Sequence, residues 1–433
     1  RLKKMLFGAS TESTRKVMKK ILDEMEQKNK PDEDDKKTGS DSKPSPKAKG
    51  HGRNGADAYT GAETVHVPHK HLKPGDGCPT CIKGTLYVTA PSRIIRIRGQ
   101  APLGAKVYEL QKLRCGLCGA IFTASPPDGM GSDKYDAESA SMIALMKYGS
   151  GVPFNRLQRL QGSLGIPLPA ATQWEIVEEV SDRIDPVFEE IVHTAAQGRV
   201  LHNDDTTMKV LELCRQHETT GGAETPSKTQ RKGVFTSGIV SVVDGHRIAL
   251  FFTGQCHAGE NLAELLKQRH ADRQRPIQMC DALSRNTPDS LKTILGNCLT
   301  HGRRRFVEVA ANFPDACLYV LDVLKDVYTN DDEAKRQGLS DQDRLVWHQA
   351  RSGPKMDELK QWLTEQIEQK KVEPNSGLGE AIGYMLRHWE KLTLFLRQPG
   401  APLDNNICER ALKKVILNRK NAYFYKTLNG ARV

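Results

Sequence analysis

Two apolar stretches of this 433-residue chain end directly in acids, and this pattern constrains the fold more than any other feature. "VLHNDD" begins at Val200 and "PIQMCDA" begins at Pro276, and each is typical of a buried strand followed by a carboxylate. An unpartnered carboxylate beside a core is costly, so Asp204 and Asp281 need a common explanation. If the two strands are neighbours, both acids should lie at one edge of a sheet. The turn at Asp244-Gly245 predicts a hairpin between them, and together these segments indicate an α/β domain.

A third acid, Glu409, stands in "DNNICERALKKVILNRKN" (404–421), which we interpret as a helix with Asp404 as its N-cap. If this helix lies beside the two strands, Asp204, Asp281 and Glu409 form an oxygen-rich site suited to Mg²⁺ or Mn²⁺. A pair of such ions about 3.5–4 Å apart activates an attacking oxygen and stabilises a leaving one. From the pattern alone, three unrelated surface acids remain an alternative.

Four cysteines form two C-x-x-C pairs, which predict a structural Zn²⁺ site of the zinc-ribbon type. The predicted ligands are Cys78, Cys81, Cys115 and Cys118. Redox pairs or incidental cysteines are the alternative. Between this segment and the α/β domain, residues 136–195 change to helical periodicity, and a helix, a short turn containing Gly165 and a second helix are compatible with a helix-turn-helix DNA-binding module. Simple helix packing explains the same pattern.

The overall charge favours a polyanionic partner. Lys and Arg number 64 against 53 Asp and Glu, which gives a net charge of +11, and cations of this kind neutralise nucleic-acid phosphates. No apolar run is long enough to span a membrane, and no signal peptide is visible. We therefore expect a cytoplasmic, nucleoid-associated protein with no membrane partner. The chain begins at Arg1 and stops at Val433, so we expect that terminal residues are missing.

The sequence resembles the transposases of the insertion sequence 66 family along most of its length. The C-terminal resemblance is the most specific, and it lies in "SGPKMDELKQWL", "GEAIGYMLRHWEKLTLFL" and "LDNNICERALKKVILNRKNAYF". "LHNDDTT", "YGSGVPFNRLQRL", both cysteine pairs and "LFGASTES" are also similar to segments of that family. The resemblance implies an RNase H-like catalytic domain with an Asp-Asp-Glu triad, here Asp204, Asp281 and Glu409. One departure is "DALSRN", which stands where the family usually has Asp-Gly-Tyr.

The resemblance also implies the partners and the DNA contacts. The partner is double-stranded DNA, both transposon terminal inverted repeats and target DNA, and the expected assembly is a homodimer or higher oligomer, with small accessory proteins as further partners. Residues expected to contact DNA are His301, Arg303, Arg304, Arg305, Arg410, Lys413, Lys414, Arg419 and Lys420. The basic segment at 301–305 is also explained by support of the metal site or by an ordinary helix face.

We therefore predict a multidomain DNA transposase that cuts and joins DNA through two metal ions. The predicted parts are an N-terminal helix (1–30), a disordered linker (31–60), a zinc ribbon (61–127), a helical DNA-binding module (128–196) and an RNase H-like domain (197–433) with a helical insertion at about 290–400. Two alternatives remain: an RNase H-like nuclease that does not join DNA, and a non-catalytic zinc-ribbon DNA-binding protein derived from a transposase.

Overall fold

The structure of the chain, a computed structural model, describes residues 73–77, 79, 83–88, 102–107, 110–114, 121–125, 127, 133–213, 234–287 and 292–433. The predicted N-terminal helix (1–30) and linker (31–60) lie outside these residues. So do the predicted zinc ligands Cys78, Cys81, Cys115 and Cys118. The zinc ribbon therefore stays a prediction.

The chain divides into two compact units, one within Pro31–Pro102 and one that contains Leu103–Val433. In the first, Gly77 and Thr85 form an antiparallel bridge. In the second, strand β1 (Lys112–Arg114) pairs antiparallel with strand β2 (Ile121–Thr123). Each of these pairings brackets one cysteine pair in the sequence, which is the arrangement that a zinc knuckle at a hairpin tip requires.

Three helices precede the main sheet. Helix α1 continues into one π-helical turn at Leu145–Gly149, and Pro153 and Pro169 stand immediately before α2 and α3. The bounds are α1 Ala137–Ala144, α2 Phe154–Ser163 and α3 Ala170–Ala196. A small core joins these helices, made by Leu103, Ile143, Leu157, Leu168 and Val177. The packing establishes a helical module, and its helix-turn-helix role stays a prediction.

A five-stranded mixed sheet forms the centre of the second unit. Its strands are β3 Val200–Met208, β4 Val234–Val243, β5 His246–Gly254, β6 Ile277–Cys280 and β7 Ile294–Asn297. They lie in the order β5-β4-β3-β6-β7, in which β3, β4 and β5 are antiparallel neighbours and β6 and β7 continue the sheet from β3 in parallel. The hairpin between β4 and β5 turns at Asp244 and Gly245, both with positive φ, as the sequence predicts. This sheet with its helices confirms the predicted α/β class.

Helices cover both faces of the sheet. On one face, Leu201, Ile239 and Leu250 pack with the end of α3 and with α4 (Ala258–Leu266). On the other face, Val240 packs against Cys408 and Leu412 of a late helix. Because β3 is central and its side chains alternate between the faces, successive residues of "HNDD" enter two different environments.

Most of the segment between β7 and residue 400 is helical and contains the largest core. Its helices are α5 Leu299–Val309, α6 Pro314–Arg336, α7 Asp341–Arg351, α8 Gly353–Glu368, α9 Gly377–Arg387 and α10 Trp389–Leu392. Their shared core includes Phe306, Leu321, Met356 and Ile382, all without exposed surface. The segment predicted as a helical insertion, at about 290–400, also contains strand β7. The sequence did not predict this strand, because the four residues "ILGN" are too few to show a period.

The last long helix, α11, spans Asn406–Ala422, and a short helix, α12 (Asn429–Arg432), follows it. The N-cap position of α11 is Asn405 rather than Asp404. Asp404 instead accepts hydrogen bonds from the backbone and side-chain nitrogens of Asn406 at 3.1 and 2.7 Å. The predicted N-cap is therefore wrong by one residue, because the helix begins at Asn406 and Asp404 bonds that first residue from the position before the cap. None of the described helices is long and apolar enough to cross a membrane.

Candidate functional site

The positions of the Asp204 and Asp281 carboxylates follow from the pairing of β3 with β6. The two strands are parallel, and Val200 pairs with Ile277 and His202 with Met279. Continued by two residues, this register brings Asp204 beside Asp281. Both acids thus lie at the same end of the sheet, as parallel strands require.

Asn405 fixes the start of α11 on β3. Its side-chain nitrogen donates to the carbonyl of Asn203 at 3.1 Å, and its side-chain oxygen accepts from His202 Nδ1 at 3.1 Å. Its backbone nitrogen donates to Cys298 Sγ at 3.2 Å. Because Asn405 has no exposed surface, these bonds form in a low-dielectric interior where unmade bonds are costly. The helix start is thereby placed against the carboxyl half of β3.

Close packing one turn later brings α11 against the sheet. The Cys408 thiol donates to the carbonyl of Gly238 at 3.3 Å. A Cβ at Gly238 would lie 2.8 Å from Leu412 Cγ, so only glycine allows α11 this close to β4. Glu409, adjacent to Cys408, is consequently held near Asp204, the register partner of Gly238.

The pKa of Asp204 reflects the proximity of the other two acids. The pKa of Asp204 is raised to about 7, chiefly by burial and then by the neighbouring Asp281, with Glu409 and Asp205 acting in the same direction. The backbone N–H of Asp205 donates to Asp204 Oδ1 at 2.8 Å and acts in the opposite direction. Like charges in a shared site disfavour simultaneous ionisation, so a bound cation would relieve this repulsion.

Glu409 has a histidine and an arginine beside it, but one of its oxygens accepts no hydrogen bond. His301 Nε2 lies 3.9 Å from Glu409 Oε1, and an Arg304 nitrogen lies 4.0 Å from Oε2. Within the described residues, Oε1 is buried and accepts no hydrogen bond. A buried, unsatisfied carboxylate oxygen costs free energy, and a metal ion is the kind of partner that would satisfy it.

Glu409 also belongs to a second group of possible metal ligands. Ligand atoms of Cys298, His301 and Glu409 all lie within 4.8 Å of one another, and this is the group of three with that spacing in the described part of the chain. Burial raises the pKa of Cys298 to about 12 and lowers that of His301. The imidazole is therefore a ready ligand, whereas the thiol must lose its proton to bind a metal.

Asp205 lies on the opposite face of β3 and is fully compensated. His257 Nδ1 donates to Asp205 Oδ2 at 2.9 Å, and an Arg285 nitrogen lies 3.1 Å from Oδ1. The Asp205 side chain is 1% exposed, and the ring of His257 packs on Phe235 with centroids 4.1 Å apart. Asp205 therefore ties β3 to the start of α4 and to the turn after β6.

The departure "DALSRN" forms a 3₁₀ turn, Ser284–Asn286, that orients Asp281. The side-chain nitrogen of Asn286 donates to Asp281 Oδ1, and so does the backbone nitrogen of Leu283, at 3.2 Å. The carbonyl of the buried Asn286 accepts from Gln278 at 2.8 Å and from Asn203 at 3.2 Å. Sequence reasoning missed Asn286, although the departure from the family pattern was its signal.

The residues predicted to contact DNA differ in the exposure of their side chains. Exposed side chains on α11 belong to Arg410, Lys413, Lys414 and Lys420. Arg303 is only 8% exposed, so the structure does not support a DNA contact for it: this residue is part of the α5 packing. Arg305 is exposed, but its guanidinium stacks on the ring of Tyr384 at 4.2 Å. Arg419 donates to Thr206 Oγ1 at 2.9 Å and to the Thr207 carbonyl, so it anchors α11 to the end of β3.

Comparison with known proteins identifies the family. The sequence profile described as "Transposase IS66 family" matches residues 134–433. Among curated proteins, the uncharacterized protein y4hP of Sinorhizobium fredii is 28% identical over 387 residues, which is 83% of this chain and 66% of that protein. Uncharacterized protein y4jD of the same organism is 36% identical over 151 residues, or 34% of this chain and 29% of that protein. The chain thus spans two thirds or less of the length of these relatives.

Proposed function

The chain belongs to the Transposase IS66 family, and we propose that it cuts DNA at transposon ends and joins those ends to target DNA. In this proposal Asp204, Asp281 and Glu409 are the catalytic carboxylates of an RNase H-like domain. The mixed five-stranded sheet, with Asp204 within β3 and Asp281 directly after the adjacent parallel strand β6, supports that assignment. The observation that carries it is the buried, uncompensated Asp204 beside two further acids, whose pKa is raised to about 7.

The donor set fits a hard divalent cation. Carboxylate oxygens are the ligands that Mg²⁺ and Mn²⁺ prefer, and the unsatisfied Glu409 Oε1 lies where such a ligand is needed. Asp204, Asp281 and Glu409 would hold the ions. When bound, they would lower the pKa of an attacking water or 3′-hydroxyl and stabilise the leaving oxygen of an in-line displacement.

The other residues around this site bind and orient. Arg304 places positive charge beside Glu409, where a scissile phosphate would carry negative charge, and the His301 imidazole lies on the other side of that carboxylate. The exposed cations of α11 would hold the DNA backbone on either side, since Lys and Arg contacts to phosphates position a duplex without reading its sequence. Asn286 and Asn405 are positioning residues, because each acts by fixing a segment that carries a carboxylate.

The remaining parts of the proposal follow from the family. The helices α1, α2 and α3 would recognise terminal inverted repeats, and the cysteine pairs would bind structural Zn²⁺. Two ends must be held together, so we propose at least a dimer on DNA, with accessory proteins as further partners. DNA as the partner places the activity in the bacterial cytoplasm. The Cys298–His301–Glu409 group offers softer ligands than the carboxylates, and these suit Zn²⁺ rather than Mg²⁺.

Strand cleavage and joining on duplexes with the terminal repeats that flank the gene test this proposal. With Mg²⁺ or Mn²⁺ we expect nicking at the repeat end, and joining of a pre-cut 3′-hydroxyl end to plasmid DNA. Glu409→Gln should lose both reactions, whereas Glu368→Gln, an exposed glutamate at the end of α8, should lose neither.

Each other outcome identifies a rival. Cleavage without joining by the wild type would identify a nuclease. Metal-dependent cleavage that survives in Glu409→Gln would remove the triad assignment. DNA binding with neither reaction would indicate a non-catalytic DNA-binding protein.

A further inference from the structure

A second basic region lies at the end of the sheet opposite to the carboxylates. The segment 267–276 connects α4 with β6 and therefore reaches the amino end of β6, whereas Asp281 follows its carboxyl end. Together with Lys292, before β7, this segment lines a cavity of about 560 Å³. The cationic side chains of that lining are Lys267, Arg269, Arg273, Arg275 and Lys292, with His270 among them, and the lining contains no acid.

The protein holds this segment in one conformation. Arg269 donates to the carbonyls of Ala196 and Gly198 at 2.7 and 2.8 Å and to that of Gln274 at 2.7 Å. Gln197 adds two further bonds: it donates to the carbonyl of Gln268 at 2.9 Å and accepts from the backbone nitrogen of His270 at 3.0 Å. A loop fixed in this way loses little conformational entropy when it binds a ligand.

Part of the positive charge in this region is not neutralised. Lys267 pairs with Glu264 at 2.5 Å. Arg273, Arg275 and Lys292 are exposed, and no carboxylate among the described residues forms an ion pair with them. Burial, and then the nearby Arg273, lower the pKa of Arg269, which shows that cations crowd one another here. Such a surface attracts anions over a distance set by the ionic strength.

We propose that Arg273, Arg275 and Lys292 form a second phosphate-binding surface, which takes the backbone of duplex DNA away from the catalytic edge. Strand β6 has four residues, so the two regions are separated by about 13 Å along its axis alone. The proposed occupant is the sugar-phosphate backbone of a duplex on that side of the sheet, bound without base recognition. This inference rests on the proposed function only because DNA is taken as the ligand.

Salt dependence of DNA binding tests the surface directly. Binding of a random-sequence 40-base-pair duplex is measured in Ca²⁺ at several NaCl concentrations, for wild type and for the double variant Arg273→Gln/Arg275→Gln. The plot of log K against log salt has a negative slope, and each lost phosphate contact reduces its magnitude by about 0.9. We therefore expect the magnitude of the slope to fall by about two in the double variant. The matched control is Arg336→Gln/Lys371→Gln, which removes the same charge from exposed positions at the end of α6 and after α8 and should leave the slope unchanged.

Two results would overturn the inference: an unchanged slope in the Arg273/Arg275 variant, or an equal decrease in the control, which would reduce the effect to net charge. Unchanged DNA binding together with lost binding of polyglutamate would assign the surface to an acidic protein instead. Glu409→Gln separates this inference from the proposed function. If Glu409→Gln cleaves normally while Arg273→Gln/Arg275→Gln still shows a weaker salt dependence of DNA binding, the triad assignment is wrong and the second phosphate-binding surface is supported.

Discussion

The two faces of strand β3 hold adjacent aspartates in opposite surroundings. Asp205 is enclosed but neutralised by His257 and Arg285. Asp204, one residue earlier, faces Asp281 and Glu409, and its pKa is raised to about 7. Both side chains are carboxylates on one strand, so the difference arises from what each face of the sheet brings to them. A compensated acid stabilises the fold, and an uncompensated one indicates a site that requires a cation.

The largest effect is expected when the uncompensated carboxylate of Asp204 is removed. Asp204→Asn keeps the shape of the side chain but removes a proposed metal ligand, and metal coordination supplies several kcal/mol of transition-state stabilisation. We expect strand cleavage to fall by on the order of 10³-fold. Asp205→Asn serves as the control in the same nicking assay, and an equal loss in both variants would contradict the distinction between the faces.

Removal of the compensated acid should chiefly affect stability. Asp205→Ala leaves His257 and Arg285 without their shared partner, and since both are partly exposed we expect a loss of about 2 kcal/mol in the free energy of unfolding. Urea denaturation at pH 7 measures it. Asp244→Ala, at an exposed turn, would be a poor control because of its positive φ, so Asp322→Ala on α6 is preferred. An unchanged midpoint would show that the Asp205 cluster contributes nothing.

Asn286 connects the two faces, and its loss should weaken the proposed metal site without abolishing it. Asn286→Ala removes the side-chain donor to Asp281, and loss of a group that orients a ligand lowers metal affinity about 10-fold. The apparent Mg²⁺ constant for cleavage should rise while the rate at saturating Mg²⁺ changes less. Ser284→Ala, exposed in the same turn, should leave both unchanged. A fall in the maximal rate alone would argue against a positioning role.

The smallest effect concerns the anchor of α11. Arg419→Lys keeps the charge for any phosphate contact but cannot reproduce the several bonds to Thr206 and Thr207. We expect a loss of about 1 kcal/mol in the free energy of unfolding with DNA affinity retained. Lys420→Gln should show the reverse pattern. If Arg419→Lys weakens DNA binding at constant stability, Arg419 contacts DNA rather than β3.

Local sequence patterns predict much of the fold around the candidate site. Apolar runs that end in acids predict β3 and β6, the Asp-Gly turn predicts the hairpin, and α11 is visible from residues 404–421. Strand β7 was not predictable, because four residues show no period. The environment of each aspartate depends on distant segments: His257 and Arg285 approach Asp205 only after α4 and β6 are in place. Asn405 is a similar case, since a sequence does not distinguish a cap residue from one whose side chain also bonds a distant strand.

Thermal unfolding of the wild type, Asp204→Asn and Asp205→Asn at pH 5 and pH 8, with and without Mg²⁺, tests the central claim most directly. Asp204 retains its proton in the fold up to about pH 7 but ionises near 3.8 when unfolded, so without a cation its burial costs stability as pH rises from about 4 to about 7. We predict that Asp204→Asn raises the ion-free melting temperature at pH 8 by about 3 °C or more, gains less at pH 5, and loses the stabilisation by Mg²⁺. Asp205→Asn should melt lower than the wild type and keep its response to Mg²⁺. Lower melting temperatures for both variants at pH 8, with Mg²⁺ still stabilising Asp204→Asn, would contradict the account.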